Sequence, residues 1–235
     1  MPHHLPEFQG FDPGKPVRIY RRNLPHLRQV GATYFVTFRL VDSVPMAKLE
    51  QWKTERENWF HAHGLRDDLP HGEWQKRYRE IPETARAAFE RHCGRQLLTE
   101  LDAGHGRCLL RQDKAAKLIE NALRFFDGER CRCGDFCVMP NHVHWLTLPL
   151  PGYELEDIMH SIKSYTATQI NTVLGTSGSV WQHESYDRLV RNASELLRTR
   201  DYIRNNPKNT KLPPHKEHTW QCAWLDTVQS IKLDA

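Results

Sequence analysis

The sequence predicts an α+β fold: a ferredoxin-like, RRM-like antiparallel four-stranded sheet with helices on one face and a further C-terminal helix. Residues 33–41 are β-branched and aromatic, which is typical of a strand. Amphipathic helical periods over 112–128 and 154–174 alternate with strand-like runs. When a helical block at about 45–110 is set aside as an insertion after the first strand, the order is β-α-β-β-α-β-α. Such a topology leaves one sheet face free for a ligand.

The chain divides into three parts. Residues 1–30, rich in Pro, Arg and His, are predicted to be an irregular arm, and 207–235 an irregular tail. Residues 31–206 are predicted to form one domain that carries the insertion. Within the insertion, apolar spacing predicts helices over 45–64 and 82–103, separated by a polar break, and no chemistry is assigned to them.

The second half of the chain supplies the rest of the predicted sheet. The strand-like runs are 130–139, 142–148 and a short segment within 180–190. A tight turn at Pro140-Asn141 joins the first two runs. A last helix is predicted over 192–206, with Pro207 ending it.

The composition excludes several classes of protein. The net charge is +4, which is mildly basic, and 39% of the 235 residues are hydrophobic, enough to build a core. No apolar run approaches membrane-spanning length, and the N-terminus has no signal-peptide core, so a cytoplasmic location is expected.

Three of the six cysteines are clustered at Cys131, Cys133 and Cys137. Their spacing does not match two zinc knuckles, so reduced, unligated thiols are favoured over a zinc site. In a regular strand all three would lie on one face.

Two histidines stand two residues apart in the second of these runs. In a strand, His142 and His144 point to the same face, where neutral imidazoles can form half of a metal site. The chain contains 14 histidines, so such a pair also arises by chance.

The last predicted helix carries a polar face that suits a catalytic site. Tyr202 shares this face with Arg198 and Asn206, one turn away on either side. A tyrosine can attack a phosphodiester when a metal ion stabilises the phosphate. His142 and His144 would hold the ion, Asn206 could add an oxygen ligand, and the product would be a covalent phosphotyrosine with a free 3′-hydroxyl.

Basic residues are concentrated near both ends of the chain, as expected for contact with a phosphate backbone. A solvated surface is the alternative for any one of them. The candidate DNA-binding residues are Arg21, Arg22, Lys163, Arg188, Arg191 and Arg198.

Several motifs occur in an order that resembles a known family. The segment 138–146, with His142-Val143-His144, is similar to the His-hydrophobic-His signature of HUH single-tyrosine transposases, and especially of REP-associated tyrosine transposases. The segments 162–166, 180–192 and 202–207 resemble the family's Lys-x-Tyr-Thr, Trp-Gln…Arg and Tyr-Ile-x-x-Asn-Pro motifs. The tail departs from the pattern, because 220–224 lacks the family's two serines.

The resemblance implies a metal-dependent endonuclease and strand transferase that acts on hairpin-bearing single-stranded DNA, such as repetitive extragenic palindromes. Tyr202 would be the nucleophile on a C-terminal catalytic helix and form a 5′-phosphotyrosine intermediate. His142, His144 and Asn206 would bind Mg²⁺ or Mn²⁺. The protein would be nucleoid-associated and either a monomer or a homodimer.

Two other functions fit the residues. One is a non-catalytic nucleic-acid-binding module of the same fold, in which the histidines only contact phosphates. The other is a small-molecule metalloenzyme that takes further ligands from His183 and Glu184.

Overall fold

The computed structural model describes residues 7–22, 25–209, 218–226 and 228. The strands of its main sheet are β3 (Tyr34–Arg39), β4 (Cys131–Val138), β5 (His142–Pro149), β6 (Tyr186–Leu189) and β7 (His218–Trp220). These five strands lie in the order β6-β3-β5-β4-β7, with every neighbouring pair antiparallel.

The mixed class of helices and sheet is confirmed, and each of the four predicted strands is present. The sheet has five strands, however, so the prediction of a four-stranded sheet is wrong. The fifth strand, β7, lies in the tail that was predicted to be irregular, and it pairs with β4 through Phe136 opposite Trp220. An unpaired edge exposes backbone donors and acceptors, and β7 covers the edge of β4. The remainder of the tail, 210–217, 227 and 229–235, lies outside the described residues.

The predicted irregular arm contains a hairpin of β1 (Arg18–Arg21) and β2 (Pro25–Arg28), paired from Arg18↔Arg28 to Arg21↔Pro25. The prediction of irregular structure is therefore wrong here. Short strands made mostly of Arg, His and Pro lack the alternating apolar pattern by which strands are recognised. Residues 1–6 of this arm are outside the described part.

The insertion is helical as predicted, with α1 (Met46–Ala62), α2 (His71–Glu80) and α3 (Glu83–Asp102). Helix α2 was not predicted, because only Trp74 and Tyr78 of its ten residues are buried. These two side chains pack with Phe60, Phe89 and Ile19, so the insertion and the hairpin share a small core of their own.

The two faces of the main sheet are covered by different helices. Helices α4 (Asp113–Phe125) and α5 (Leu155–Leu174) contribute to one core together with Val36, Phe38 and Trp145. Helix α6 (Ala193–Asn209) contributes to a second core that contains Phe35 and Leu146. Because residues alternate along a strand, the second core lies on the face that also carries His142 and His144.

Helix α6 continues through Pro207 to Asn209, so the prediction that Pro207 ends it is wrong by two residues. The guanidinium of Arg200 on α6 is buried and anchors the helix to the sheet, because its Nε donates a hydrogen bond to Asp135 Oδ2 on β4 at 2.8 Å. Asp226 accepts a second hydrogen bond from Arg200 at 2.8 Å. The buried charge is thus matched by two carboxylates.

The sheet face that was expected to be free is covered by helix α3 as well as α6. Gly94 lets α3 approach β6, because a Cβ atom at this position would lie 2.6 Å from Tyr186 Oη. The Tyr186 side chain shares the face of its strand partner Thr37, next to the histidine pair.

Among the described residues, no helix has the length and apolar content needed to cross a membrane.

Candidate active site

His142 and His144 lie side by side on β5, opposite Arg39 and Thr37 of β3. Their Nε2 atoms are 3.0 Å apart, and both side chains are fully buried. Burial lowers the pKa of His142 to about 3 and that of His144 well below its ordinary value. Both rings are therefore neutral at pH 7, which is the form that binds metals.

The ring of His142 is oriented by Asn141. Nδ1 of His142 is 2.7 Å from Asn141 Oδ1, while Asn141 Nδ2 donates to the carbonyl of Leu101 at 3.1 Å. Because the Asn141 amide nitrogen donates to that carbonyl, the Asn141 amide oxygen must accept a hydrogen bond from Nδ1–H of His142. The lone pair of His142 is then on Nε2, facing His144.

His144 is held by two neighbours on β3. Its Nδ1 lies 2.8 Å from Thr37 Oγ1, and its ring stacks on Phe35 with centroids 5.4 Å apart. A hydroxyl can donate or accept, so the Nδ1–H tautomer is available to His144. In that tautomer the Nε2 atom of His144 carries a lone pair, as the Nε2 atom of His142 does.

The donor set fits a six-coordinate divalent ion. Two ligands at about 2.1 Å and right angles lie roughly 3.0 Å apart, the spacing that separates the two Nε2 atoms. Asn206 is buried, and its Oδ1 has no hydrogen-bond partner among the described residues. An orphaned carbonyl oxygen is a suitable ligand for Mg²⁺ or Mn²⁺.

The described residues contain no group of three or more His, Cys, Asp and Glu side chains arranged to hold a metal ion. Two imidazoles and an amide oxygen would leave three positions of an octahedral ion for water and substrate. An incomplete protein shell of this kind is typical of catalytic metals.

Tyr202, on helix α6, contacts the histidine pair with its side chain. Its hydroxyl is 3.2 Å from His144 Nε2, and its ring meets Phe35 edge-on at 6.2 Å. Burial, followed by the negative charge of Asp102, raises the pKa of Tyr202 above its ordinary value. A neighbouring cation would oppose both effects.

A groove of about 440 Å³ between α3, β6 and α6 leads to Tyr202 and Phe35. Three of the candidate DNA-binding residues, Arg188, Arg191 and Arg198, line it. Arg188 and Arg191 have carboxylate partners in Glu195 and in Glu83 and Glu90, respectively. Arg198 has no ion pair within the described chain.

The other three basic candidates lie away from Tyr202. Lys163 donates to the carbonyls of Gln182 and His183 at 2.6 and 2.7 Å, and burial lowers its pKa to about 8. Arg21 pairs with Asp67, and Arg22 is exposed. Their role in binding DNA stays a prediction.

None of the six cysteines, all of which the structure describes, forms a disulfide bond. A register shift between Cys133 and Phe136 moves Cys137 to the face opposite that of Cys131 and Cys133. The expectation of a shared face is therefore wrong, because a β-bulge interrupts the alternation.

Glu184, a ligand of the metalloenzyme alternative, contacts His26 Nε2 at 2.9 Å. His26 also contacts Asp187 at 2.8 Å. No described group joins Glu184 or His183 to the histidine pair as metal ligands.

Comparison with known proteins finds a family match in the second half of the chain. Residues 106–206 match the model of the family described as transposase IS200 like. The chain resembles the IS200-like transposases. The match includes both histidines, Tyr202 and Asn206, and it supports a transposase-like, DNA-processing enzyme. The hairpin and helices α1 to α3 lie outside it.

A solved structure of a REP-associated tyrosine transposase bound to a REP hairpin is also similar to the chain. The TM-score is 0.40 and the sequence identity 15%, over 80% of this chain and 72% of that one. No curated protein matches the chain.

Three residues around the candidate site were missed by sequence reasoning: Thr37, Asn141 and Asp102. Asn141 was identified only as part of a turn, although it directly precedes His142. Thr37 becomes recognisable once β3 is paired with β5. Asp102 has no local signal, because it reaches the site from the insertion.

Proposed function

We propose that this protein is a metal-dependent single-stranded DNA endonuclease and strand transferase in which Tyr202 is the nucleophile. The observation that carries the proposal is the contact of Tyr202 Oη with His144 Nε2 at 3.2 Å. It joins a nucleophile on one element to a pair of metal-binding groups on another, which phosphoryl transfer by a tyrosine requires.

The residues would divide the reaction as follows. His142, His144 and Asn206 would hold Mg²⁺ or Mn²⁺, which supplies positive charge to the attacked phosphate. The Tyr202 oxygen forms a bond to phosphorus, and the bond between phosphorus and the 3′-oxygen breaks. The phenol loses its proton, the departing 3′-oxygen gains one, and a 5′-phosphotyrosine remains.

The groove lined by Arg188, Arg191 and Arg198 is the proposed path of the DNA strand. Guanidinium groups bind phosphates in a geometry that favours two hydrogen bonds. Tyr202 and Phe35 also line this groove, so a strand bound in it would reach the nucleophile. Hairpin-bearing DNA of the repetitive palindrome type is the proposed substrate, in keeping with the predicted nucleoid location.

The test is the formation of a covalent adduct. The full chain is incubated with Mn²⁺ and end-labelled single strands that carry hairpins, and adducts are resolved after denaturation. We expect an adduct with a free 3′-hydroxyl on the released strand for the wild type, and none for Tyr202→Phe. Tyr153→Phe, at an exposed tyrosine, is the matched control and should react normally.

An adduct that persists in Tyr202→Phe would assign the nucleophile to another residue. Metal-independent DNA binding that is identical in wild type and Tyr202→Phe, with no adduct on any hairpin, would favour the non-catalytic module.

A further inference from the structure

Arg39, at the end of β3, lies next to the histidine pair. It is the strand partner of His142, so the two side chains point to the same face of the sheet. Thr37, two residues earlier on this face, is the strand partner of His144 and contacts its Nδ1 at 2.8 Å. Strand β3 thus places one residue opposite each histidine, and the residue opposite His142 is positively charged.

The charge of Arg39 is buried without a carboxylate partner in the described part of the chain. The residue is 7% exposed. Its Nη1 donates to the carbonyl of Leu40 and to the hydroxyl of Ser43, both at 3.3 Å and both neutral. Within the described residues, Nε and Nη2 make no hydrogen bond. Burial lowers the pKa of Arg39 to about 10, so the guanidinium keeps its positive charge at pH 7.

The other two buried arginines of the described chain are surrounded differently. Each of them has two carboxylate partners, which are Glu156 and Asp187 for Arg28, and Asp135 and Asp226 for Arg200. Taking a charge out of water costs free energy, which an opposite charge must offset. The described residues supply that opposite charge to Arg28 and Arg200 but not to Arg39. A buried guanidinium of this kind is suited to bind an anion from outside the chain.

A pocket of about 240 Å³ is present at the Arg39 side chain. Helix α1 of the insertion contributes Lys53 and Arg56 to its wall. Glu184 is the one carboxylate among the described residues that line the pocket, and it contacts His26 Nε2 at 2.9 Å. The volume is below the roughly 300–1,000 Å³ of sites for drug-sized ligands. The pocket therefore suits a small anion, such as one phosphate group of a longer strand.

Tyr202 and Arg39 lie at opposite ends of the histidine pair. Tyr202 Oη is 3.2 Å from His144 Nε2, and its ring meets Phe35 edge-on, whereas Arg39 is paired with His142. Phe35 and Arg39 are separated along β3 by about 13 Å. An in-line displacement places the leaving 3′-oxygen opposite to the attacking oxygen. The strand that ends in this 3′-oxygen would therefore depart on the side of Arg39.

We propose that Arg39 binds a phosphate of the leaving DNA strand, the backbone phosphate immediately 5′ to the one attacked by Tyr202. The proposal deepens the proposed function and rests on it. Nε and Nη2, the two nitrogens without a partner in the described structure, form an edge of the guanidinium that can bind two phosphate oxygens. A strand held in this way stays in place after cleavage, which keeps its 3′-hydroxyl available for strand transfer.

The first experiment tests the anion site without DNA, metal or cleavage. Inorganic phosphate is titrated into the isotope-labelled full-length protein at an ionic strength kept constant with chloride, and the Nε–Hε resonance of Arg39 is followed by NMR. The resonance is assigned by its loss in Arg39→Lys. We expect a saturable shift. A resonance that responds to phosphate no more than to chloride would overturn the site.

The second experiment locates the bound phosphate on the DNA. Hairpin-bearing single strands are made with one neutral methylphosphonate at a time, and their affinity is measured by fluorescence anisotropy. The full chain carries Tyr202→Phe and metal is omitted, so that no strand is cut. A methylphosphonate immediately 5′ to the cleaved phosphate should weaken binding roughly 10- to 100-fold, because a charge-assisted hydrogen bond is lost. Adding Arg39→Gln should weaken binding by a similar factor and make this methylphosphonate nearly neutral.

Arg95→Gln is the matched control, because it removes the same charge from an exposed position of α3 outside this pocket. It should leave the affinity and the methylphosphonate pattern unchanged, and an equal loss in this variant would argue against a specific role of Arg39. Arg39→Lys, which keeps the charge, should recover part of the affinity. Circular dichroism melting of each variant separates a loss of binding from a loss of folding.

The outcomes distinguish the role of Arg39 from the proposed function. If the wild type forms the covalent adduct but no methylphosphonate position depends on Arg39, the function stands and the role of Arg39 is wrong. Dependence at a phosphate 3′ to the cleaved one would contradict the assignment to the leaving strand. If the wild type forms no adduct on any hairpin, the proposed function itself fails, even when free phosphate shifts the Arg39 resonance.

Discussion

The Tyr202 hydroxyl lies 3.2 Å from Nε2 of His144, the nitrogen that also faces His142 at 3.0 Å. A single lone pair on Nε2 can accept a phenolic hydrogen or bind a cation, but it cannot do both. Metal binding therefore requires the tyrosine to release His144. The same step would free the Tyr202 oxygen for attack on a phosphate.

This competition predicts the effect of Tyr202→Phe on metal affinity. A hydrogen bond of this kind contributes about 0.5–1.5 kcal/mol, so its removal should tighten Mn²⁺ binding roughly 2- to 12-fold. Calorimetry on the full chain without DNA measures the change. Weaker binding in Tyr202→Phe would instead place the tyrosine oxygen among the ligands.

The arginine groove predicts a salt-dependent loss of DNA affinity. Arg198→Ala should weaken binding of single-stranded DNA irrespective of sequence and reduce the slope of log affinity against log salt by about one. Fluorescence anisotropy at several salt concentrations measures the slope. Arg204→Ala, on the same helix but outside the groove and paired with Asp201, serves as the control. Equal slopes for the two variants would argue against the groove.

The contact of Arg200 with Asp135 predicts a large effect on stability. Both side chains are buried, and Arg200→Met leaves the carboxylate of Asp135 without its cation. The expected loss in the free energy of unfolding is about 3–5 kcal/mol, measured by urea denaturation. The double variant, Arg200→Met combined with Asp135→Leu, should be less damaging, because it removes both charges.

Close packing between Gly94 and Tyr186 predicts a coupled pair of substitutions. Gly94→Ala would bring Cβ to 2.6 Å from Tyr186 Oη and should cost about 1–3 kcal/mol of stability. Tyr186→Phe removes that oxygen, so it should relieve part of the cost in the double variant. Strictly additive effects in a double-mutant cycle would show that the residue at position 94 of α3 does not contact the side chain at position 186 of β6.

The buried ion pairs of His26 predict how stability depends on pH. Burial alone would lower the pKa of His26, but hydrogen bonds to Asp187 and Glu184 outweigh it and raise the pKa to about 9. Since the folded pKa is above the ordinary 6.5, the stabilisation is complete below pH 6.5. It is lost as the pH rises toward 9.

We expect the unfolding free energy to fall by about 1–3 kcal/mol across this interval because of His26. Urea denaturation at several pH values measures it. His26→Gln should flatten the dependence, while His61→Gln, at an exposed residue of α1, should retain it. A wild-type slope in His26→Gln would assign the dependence to other groups.

Local pattern determined a large part of the fold and half of the site. The alternation of β3 and β5 predicted the strands and placed His142 and His144 on one face, because a strand repeats every two residues. The helical period of α6 likewise placed Tyr202 and Asn206 together. The family motifs, read from the same residues, agree with the match over 106–206.

Tertiary packing decided what no local pattern contains. It brought Tyr202 to His144, although 58 positions separate them, and it brought the charge of Asp102, from the insertion, close enough to raise the pKa of Tyr202. It also placed α3 over the sheet face that was expected to be free, because Gly94 has no side chain to keep the helix away from Tyr186. Periodicity fixes which way a side chain points within its own element. The distance between side chains on different elements depends on how those elements pack, which is set by the whole core.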